Sequence, residues 1–323
     1  MTKPLEVRHK SIIPWPAELL SVLTLSIALV AVSCAAIFIR IAERDIGPNA
    51  TIFSRLVIAT VVFWGLDALR QHRSNDSGDF ALTPPNTPYT ANDIVRLVSV
   101  ALVSTLSVTL WAWSLTQTSV ANSTLLRNLT PIFTSLGGWL LLGQHFDRRF
   151  ILGTAIAVSG AAFISFDDFN LAAEHLLGDG LALLSAVLYG ANLLLVEGLR
   201  SKYPATTILL WRCSVGAALI FPVAWFSEDR ILPQTWEAWF AVIALAVVCQ
   251  ALGQGLLVHS LKTLSSGFVA VLLLLEPLLT AIFAWVIFSE ALDFDNWVAF
   301  FVVLVGIYFA RSSRSSSGEG VRR

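Results

Sequence analysis

The chain has 323 residues and a formal net charge of −1; 56% of its residues are hydrophobic and 13% charged. Soluble domains carry roughly 25% charged residues, so too little polar sequence is present to coat one or two soluble cores. The near-zero charge argues against a nucleic-acid partner, and Cys34, Cys213 and Cys249 lie in apolar runs without metal spacing, so they read as small packed hydrophobes and no metal or other cofactor is expected.

An apolar run needs about 20 residues to cross the hydrocarbon as a helix. Ten such runs can be drawn in chain order: 18–40, 49–69, 94–116, 119–143, 149–167, 178–198, 205–226, 237–258, 266–289 and 295–311. The first is too long and too late to read as a cleaved signal peptide. Trp15, Trp225, Trp236, Trp239 and Trp297 stand near run ends, where an indole buries its rings and keeps its N–H hydrated. Residues 71–93 hold Pro84, Pro85 and Pro88 among polar residues and are expected to form a flexible cytoplasmic loop. An acidic linker, 168–177, and a serine-rich tail, 312–323, complete the polar sequence, and the tail is expected to be disordered.

The stretch Thr118–Ser165 recurs without a gap as Leu264–Arg311, with Pro131 on Pro277, Trp139 on Trp285, Asp147 on Asp293 and Gly160 on Gly306. Such self-similarity marks a duplicated protein. Basic loops stay in the cytoplasm, and with both termini inside, fifteen of the 21 lysines and arginines fall on that side. Three, Arg40, Arg44 and Arg230, fall outside, and Arg55, Arg127 and Arg212 lie within runs. Five spans per half is odd, so the copies must lie upside down relative to each other. Loop charge agrees, because basic Arg149 aligns with acidic Asp295. Pro48 and Arg55 likewise match Pro204 and Arg212 within a one-residue shift. The expectation is an all-α integral membrane protein: ten transmembrane helices as two inverted five-helix repeats, residues 1–167 and 178–311.

Ten runs in two inverted halves, with Pro131 through Trp139 to Gly143-Gln144 echoed by Glu276-Pro277 through Trp285 to Ser289-Glu290, resemble the EamA-type members of the drug/metabolite transporter superfamily. The resemblance covers nearly the whole chain and implies export or exchange of amino acids, other metabolites or drugs. One departure is Gln144, where the family usually has glutamate; Glu290 keeps it.

Charges at membrane depth cost roughly 2.5–3.5 kcal/mol each on insertion scales, so those that remain are functional candidates. Arg127 and Glu276 fall roughly 12 and 15 Å inside the paired runs of the repeat, at about 1.5 Å per residue, and so near the midplane. Ser123, Arg127, Thr130 and Thr134 share one helical face, as do Glu276 and Thr280 on the partner run. That face is expected to look into a cavity. Pro131 and Pro277 each free a backbone carbonyl that either coordinates a ligand or only eases packing. Ser185, Tyr189 and Asn192 form another polar stripe, Gln250 and Gln254 a third, and Trp111 and Ser114 add to run three. Each also reads as ordinary helix-to-helix hydrogen bonding. Arg55 and Arg212 lie roughly 10–12 Å inside their own runs, entered from opposite membrane faces, and are assigned a gate or structural role. Stripes such as Gly153, Ala157 and Ala161 read as close helix packing.

The function expected is secondary transport of a small metabolite by alternating access around a midplane site. Arg127 would hold an anionic group, and Glu276 an amine or a coupling proton; alternatively the two neutralise each other. A scaffold or receptor without transport is the alternative reading. A membrane enzyme has less support, since no HExxH, GxSxG or paired metal spacing occurs. The partners expected are a small-molecule substrate and membrane lipid, and the location the plasma membrane.

Overall fold

The computed structural model describes residues 17–77, 89–118, 120–163, 176–288 and 294–313. Trp15, residues 78–88, linker residues 168–175, Glu290, Asp293 and the tail beyond Ser313 lie outside them. Helices account for nearly all of the described chain. In order they are α1 (Ala17–Ser33), α2 (Ala35–Ala42), α3 (Pro48–Ser77), α4 (Ala91–Gln117), α5 (Val120–Arg127), α6 (Thr130–Leu142), α7 (Arg148–Phe163), α8 (Leu176–Arg200), α9 (Ala205–Ser227) and α10 (Trp236–Ala244). A π-helical segment, Leu245–Gln254, leads into α11 (Gly255–Ser260), followed by α12 (Ser266–Leu272), α13 (Leu275–Phe288) and α14 (Phe294–Arg311).

Among the described residues seven stretches are long and apolar enough to cross a bilayer, the first and last of them bent within their length: Leu20–Ala42, Pro48–Leu69, Ala91–Gln117, Leu176–Arg200, Ala205–Ser227, Trp236–Ser260 and Ser266–Phe283. The other three expected runs are shorter or broken. Run 119–143 divides into α5 and α6, α7 has 16 residues, and α14 has 18 with charges at both ends. Where a soluble protein would be polar, the surface is apolar: Phe226 is 87% exposed and Trp236 81%, with Leu141, Phe301 and Tyr308 also outward. Lipid is the solvent that suits such a face.

Two prolines stand at helix breaks, whereas Pro222 is carried inside α9. Pro131 lacks the N–H that would pair with the Arg127 carbonyl, and that carbonyl instead accepts from the Thr130 hydroxyl at 2.7 Å. Opposite Pro277, the Leu273 carbonyl accepts from the Glu276 N–H at 2.9 Å through a tightened turn. Both freed carbonyls thus already have a partner within their own helix pair. The break between α1 and α2 has another cause: Thr280 Oγ1 donates to the Ser33 carbonyl at 3.2 Å and so intrudes on the helical ladder.

Of the flexible loop expected over 71–93, both ends are helical, and residues 78–88 lie outside the described residues. Helix α3 continues to Ser77, since Ala68 through Gln71 are good helix formers. At the other end Thr90 and Asp93 form a reciprocal capping box that starts α4 at Ala91.

Helix α7 lies along α14, α3 along α9, and α4 along α8, while α1 packs on the π segment, α11 and α13. The α7–α14 crossing is a backbone contact. A Cβ at Gly306 would meet the Ala157 backbone, its Cα at 2.7 Å, and one at Gly153 would lie 2.6 Å from the Gly306 carbonyl oxygen. Small-residue stripes permit this approach. Helix α6 ends at Gly143, whose φ of 64° is left-handed, and the Gln144 N–H returns to the Gly138 carbonyl at 3.0 Å. This turn carries the Gln144 side chain into the protein, where it is 2% exposed.

Candidate functional site

Near the break between α5 and α6, the Arg127 guanidinium lies 4.5 Å from the Trp111 ring centroid and 5.1 Å from that of Tyr189. Two aromatic faces suit a planar cation that has left water. One of its five donors is used: Nη1 donates to Ser185 Oγ at 3.1 Å. Ser185 is itself fixed, since its hydroxyl donates to the Ser107 carbonyl at 2.8 Å and Ser107 Oγ returns the bond to the Ser185 carbonyl at 2.9 Å. The α4–α8 crossing is therefore the rigid seat of Arg127. Among the described residues Trp111 Nε1 and Asn192 Oδ1 are both buried without a partner. Unmet polar atoms beside a charged group are what a ligand would satisfy.

Glu276 opens α13 opposite this centre. Its carbonyl accepts from Ser33 Oγ at 3.3 Å, but among the described residues no ion pair or hydrogen bond holds its carboxylate. Arg127, Tyr189 and Cys249 lie within its electrostatic reach. Among the described residues no direct Arg127–Glu276 ion pair forms, although each lies within the other's electrostatic reach.

The other sequence candidates separate into two sets. Ser123 Oγ lies 2.5 Å from Ser114 Oγ, Thr134 Oγ1 donates to the Thr130 carbonyl and packs on Gly190, and Thr130 and Thr280 are engaged as described above. These four hydroxyls hold helix contacts in this conformation. Gln254 Oε1 accepts from Arg212 Nη1 at 3.1 Å, and Gln250 Nε2 approaches Cys213 Sγ at 3.5 Å. Both amides belong to the π segment, a geometry often found at functional sites.

Arg55 and Arg212, expected from sequence at separate depths, line one cavity with Ser104, Thr105, Thr109 and Gln250. A second buried arrangement carried no sequence signal. Glu197, 5% exposed near the end of α8, accepts from Gln144 Nε2 at 3.1 and 3.3 Å and from the Ser266 N–H at 3.0 Å. Outside the membrane, Asp45 accepts from the Gln234 and Thr235 N–H groups at 2.7 and 2.9 Å. Those amides, Thr235 foremost, hold its carboxyl below the usual carboxylate range.

A sequence model of the EamA-like transporter family matches residues 19–166 and again 176–312. An uncharacterized transporter of Archaeoglobus fulgidus is 22% identical over 289 residues, which cover 86% of this chain and 92% of that protein. The pseudopaline exporter CntI of Pseudomonas aeruginosa is 24% identical over 185 residues, 56% of this chain and 62% of the exporter. A solved crystal structure shares the fold with a TM-score of 0.74 at 18% identity, over 91% of this chain and 97% of that one. The two family matches, together with the apolar helices and lipid-suited surface, establish that this chain is an integral, multi-pass membrane protein belonging to the EamA-like transporter family.

Proposed function

We propose that the chain is a secondary transporter that moves a small organic solute with an anionic group, by alternating access around a midplane site bounded by Arg127 and Glu276. The observation that carries this reading is the Arg127 guanidinium beside the Trp111 and Tyr189 rings, with one hydrogen bond among the described residues and the Glu276 carboxylate within its electrostatic reach. Arg127 binds the anionic group. Glu276 takes an amine on the same solute or carries a coupling proton.

The scaffold is read as two inverted five-helix halves, 1–167 and 178–311, joined by 168–177, with 312–323 as a tail. Two lines support this. The family model matches twice, once in each half. Helix partners also correspond when the halves are exchanged: α3 with α9 and α7 with α14 are partners of their own counterparts, and α4 on α8 corresponds to the π segment and α11 on α1. Both termini are assigned to the cytoplasm of a plasma membrane from the basic loops. The name of the Pseudomonas aeruginosa relative, a pseudopaline exporter, favours outward transport of a metabolite.

Flux assays on purified protein in liposomes test the site. Carboxylate-bearing and amino-acid-like solutes are the first to try. Arg127→Ala is expected to abolish flux of a solute the wild type carries, and Arg127→Lys to raise its KM about tenfold, since ring contacts contribute about 0.5–1 kcal/mol each. Glu276→Gln is expected to remove either pH dependence or amine selectivity. Unchanged rate and solute range in Arg127→Ala and Glu276→Gln, with correctly inserted protein, would remove the proposal, and absence of any flux would favour a scaffold.

A further inference from the structure

We propose that Arg55 and Arg212 together bind a small monovalent anion, either free or as the carboxylate end of a larger solute. The two residues sit on α3 and α9, which pack along each other, and both line a cavity of about 30 Å³. They are close enough for each to feel the other's positive charge. Two guanidinium groups facing each other in a low-dielectric interior repel strongly unless something negative lies between them.

No such group is supplied by the described residues. No carboxylate lies within ion-pair distance of either arginine, and Glu276 is absent from the charges that reach Arg55. Arg212 has one neutral partner, Gln254 Oε1. Arg55 has none, and its Nε is buried without an acceptor. The rest of the wall is uncharged and mixed, with Ser104, Thr105, Thr109 and Gln250 beside the apolar Ile52, Leu56, Val108 and Ile220. Planar forks presenting several N–H groups match chloride, nitrate or a carboxylate.

Size narrows the ligand. One water needs roughly 10–15 Å³ by this measure, so the cavity takes about two waters or one small anion. A whole metabolite does not fit. The repeat places Arg55 and Arg212 at matching positions in the two halves, so the anion would lie where the halves meet and be held equally by both. This site is separate from the Arg127 centre, and its test reads binding, so a negative flux assay leaves it standing.

The test is thermal unfolding of the purified full chain in detergent, with sodium gluconate replaced at constant ionic strength by chloride, nitrate or formate. Gluconate is the weak reference, because its hydroxylated chain would have to lie against the apolar Ile52, Leu56, Val108 and Ile220 of the cavity wall. The wild type is expected to show a saturable rise, about 5 °C at a hundredfold excess over Kd. Arg55→Gln should lose that rise, yet in gluconate alone be at least as stable as wild type, because one of two repelling charges is gone. A free anion predicts that Arg127→Gln keeps the response. A solute carboxylate predicts that stabilisation by larger carboxylic solutes is lost in both variants. If Arg55→Gln does not fold, chlorine NMR line broadening by the wild type, reversed by formate, serves instead. No saturable response in the wild type, an equal response in Arg55→Gln, or chloride broadening that formate leaves unchanged would overturn the site.

Discussion

Gln144 shows how one atom exchange changes a buried site. Its amide donates to both oxygens of Glu197, and the Ser266 N–H completes the set, so the carboxylate is held by three N–H contacts from two other parts of the chain. At the position where the family resemblance implies glutamate, an amide here supplies the hydrogens that a second acid would lack. Gln144→Glu turns a donor into an acceptor opposite an acceptor and adds a like charge. Charge-assisted bonds contribute roughly 1.5–3 kcal/mol, so a loss of about 2 kcal/mol is expected at pH 8, read by thermal unfolding in detergent. Acid should narrow the difference from wild type, because one proton shared between the two carboxyls restores a donor. Equal stability at pH 8 would sink the role given to the amide. At this scale the sequence was legible where a residue contradicts its surroundings: Arg127 and Glu276 stand out from apolar runs. Glu197 did not, because an acid near a run end needs no explanation until its partners are known. Arg55 and Arg212 were visible singly but not as a pair, since depth along two helices does not say which faces meet.

Elements were legible in proportion to the strength of their local chemistry. Pro131 and Pro277 marked the breaks in runs four and nine, and the Gly153–Ala157–Ala161 stripe marked a close crossing. The π segment left no mark, for one extra residue per turn changes no residue type. Gly306→Val tests the α7–α14 crossing. Its Cβ would press on the Ala157 backbone, which cannot swing aside as a side chain would. Overpacking of this kind costs about 1–3 kcal/mol, so folded yield and melting temperature should both fall. Gly65→Val, with nothing within 4 Å of the new Cβ, should keep both near wild type. The outer loops offer a pH test. Asp45 ties the α2–α3 turn to Gln234 and Thr235, and is more acidic folded than free. Its contribution is therefore present above the unfolded value of about 3.9 and fades as pH falls through the lower folded value. Amide exchange at Gln234 and Thr235, corrected for intrinsic rates, should accelerate over that acidic range. Asp45→Ala should show the faster exchange already at neutral pH.

At the scale of the whole molecule, the question is whether the two halves are parallel or inverted copies, because only inversion places equivalent residues on opposite faces around one central site. Helix partners that map onto each other when the halves are exchanged support a two-fold relation between them, and the replacement of Arg149 by Asp295 at the equivalent position favours the inverted form. Basic residues are retained in the cytoplasm and acids are indifferent, so one scaffold read upside down should change its loop charge in this way. The test is direct once the native thiols are replaced: Cys213 and Cys249 are buried and become alanine, and Cys34 becomes serine. Arg149→Cys and Asp295→Cys are then made singly and exposed in intact cells to a membrane-impermeant thiol reagent. Inversion predicts that Asp295→Cys reacts at once and Arg149→Cys only after permeabilisation. Parallel copies would put both thiols on one side. Labelling of both in intact cells, or of neither, would remove the inverted arrangement, and with it the argument that Arg55 and Arg212 meet because each is the other's image.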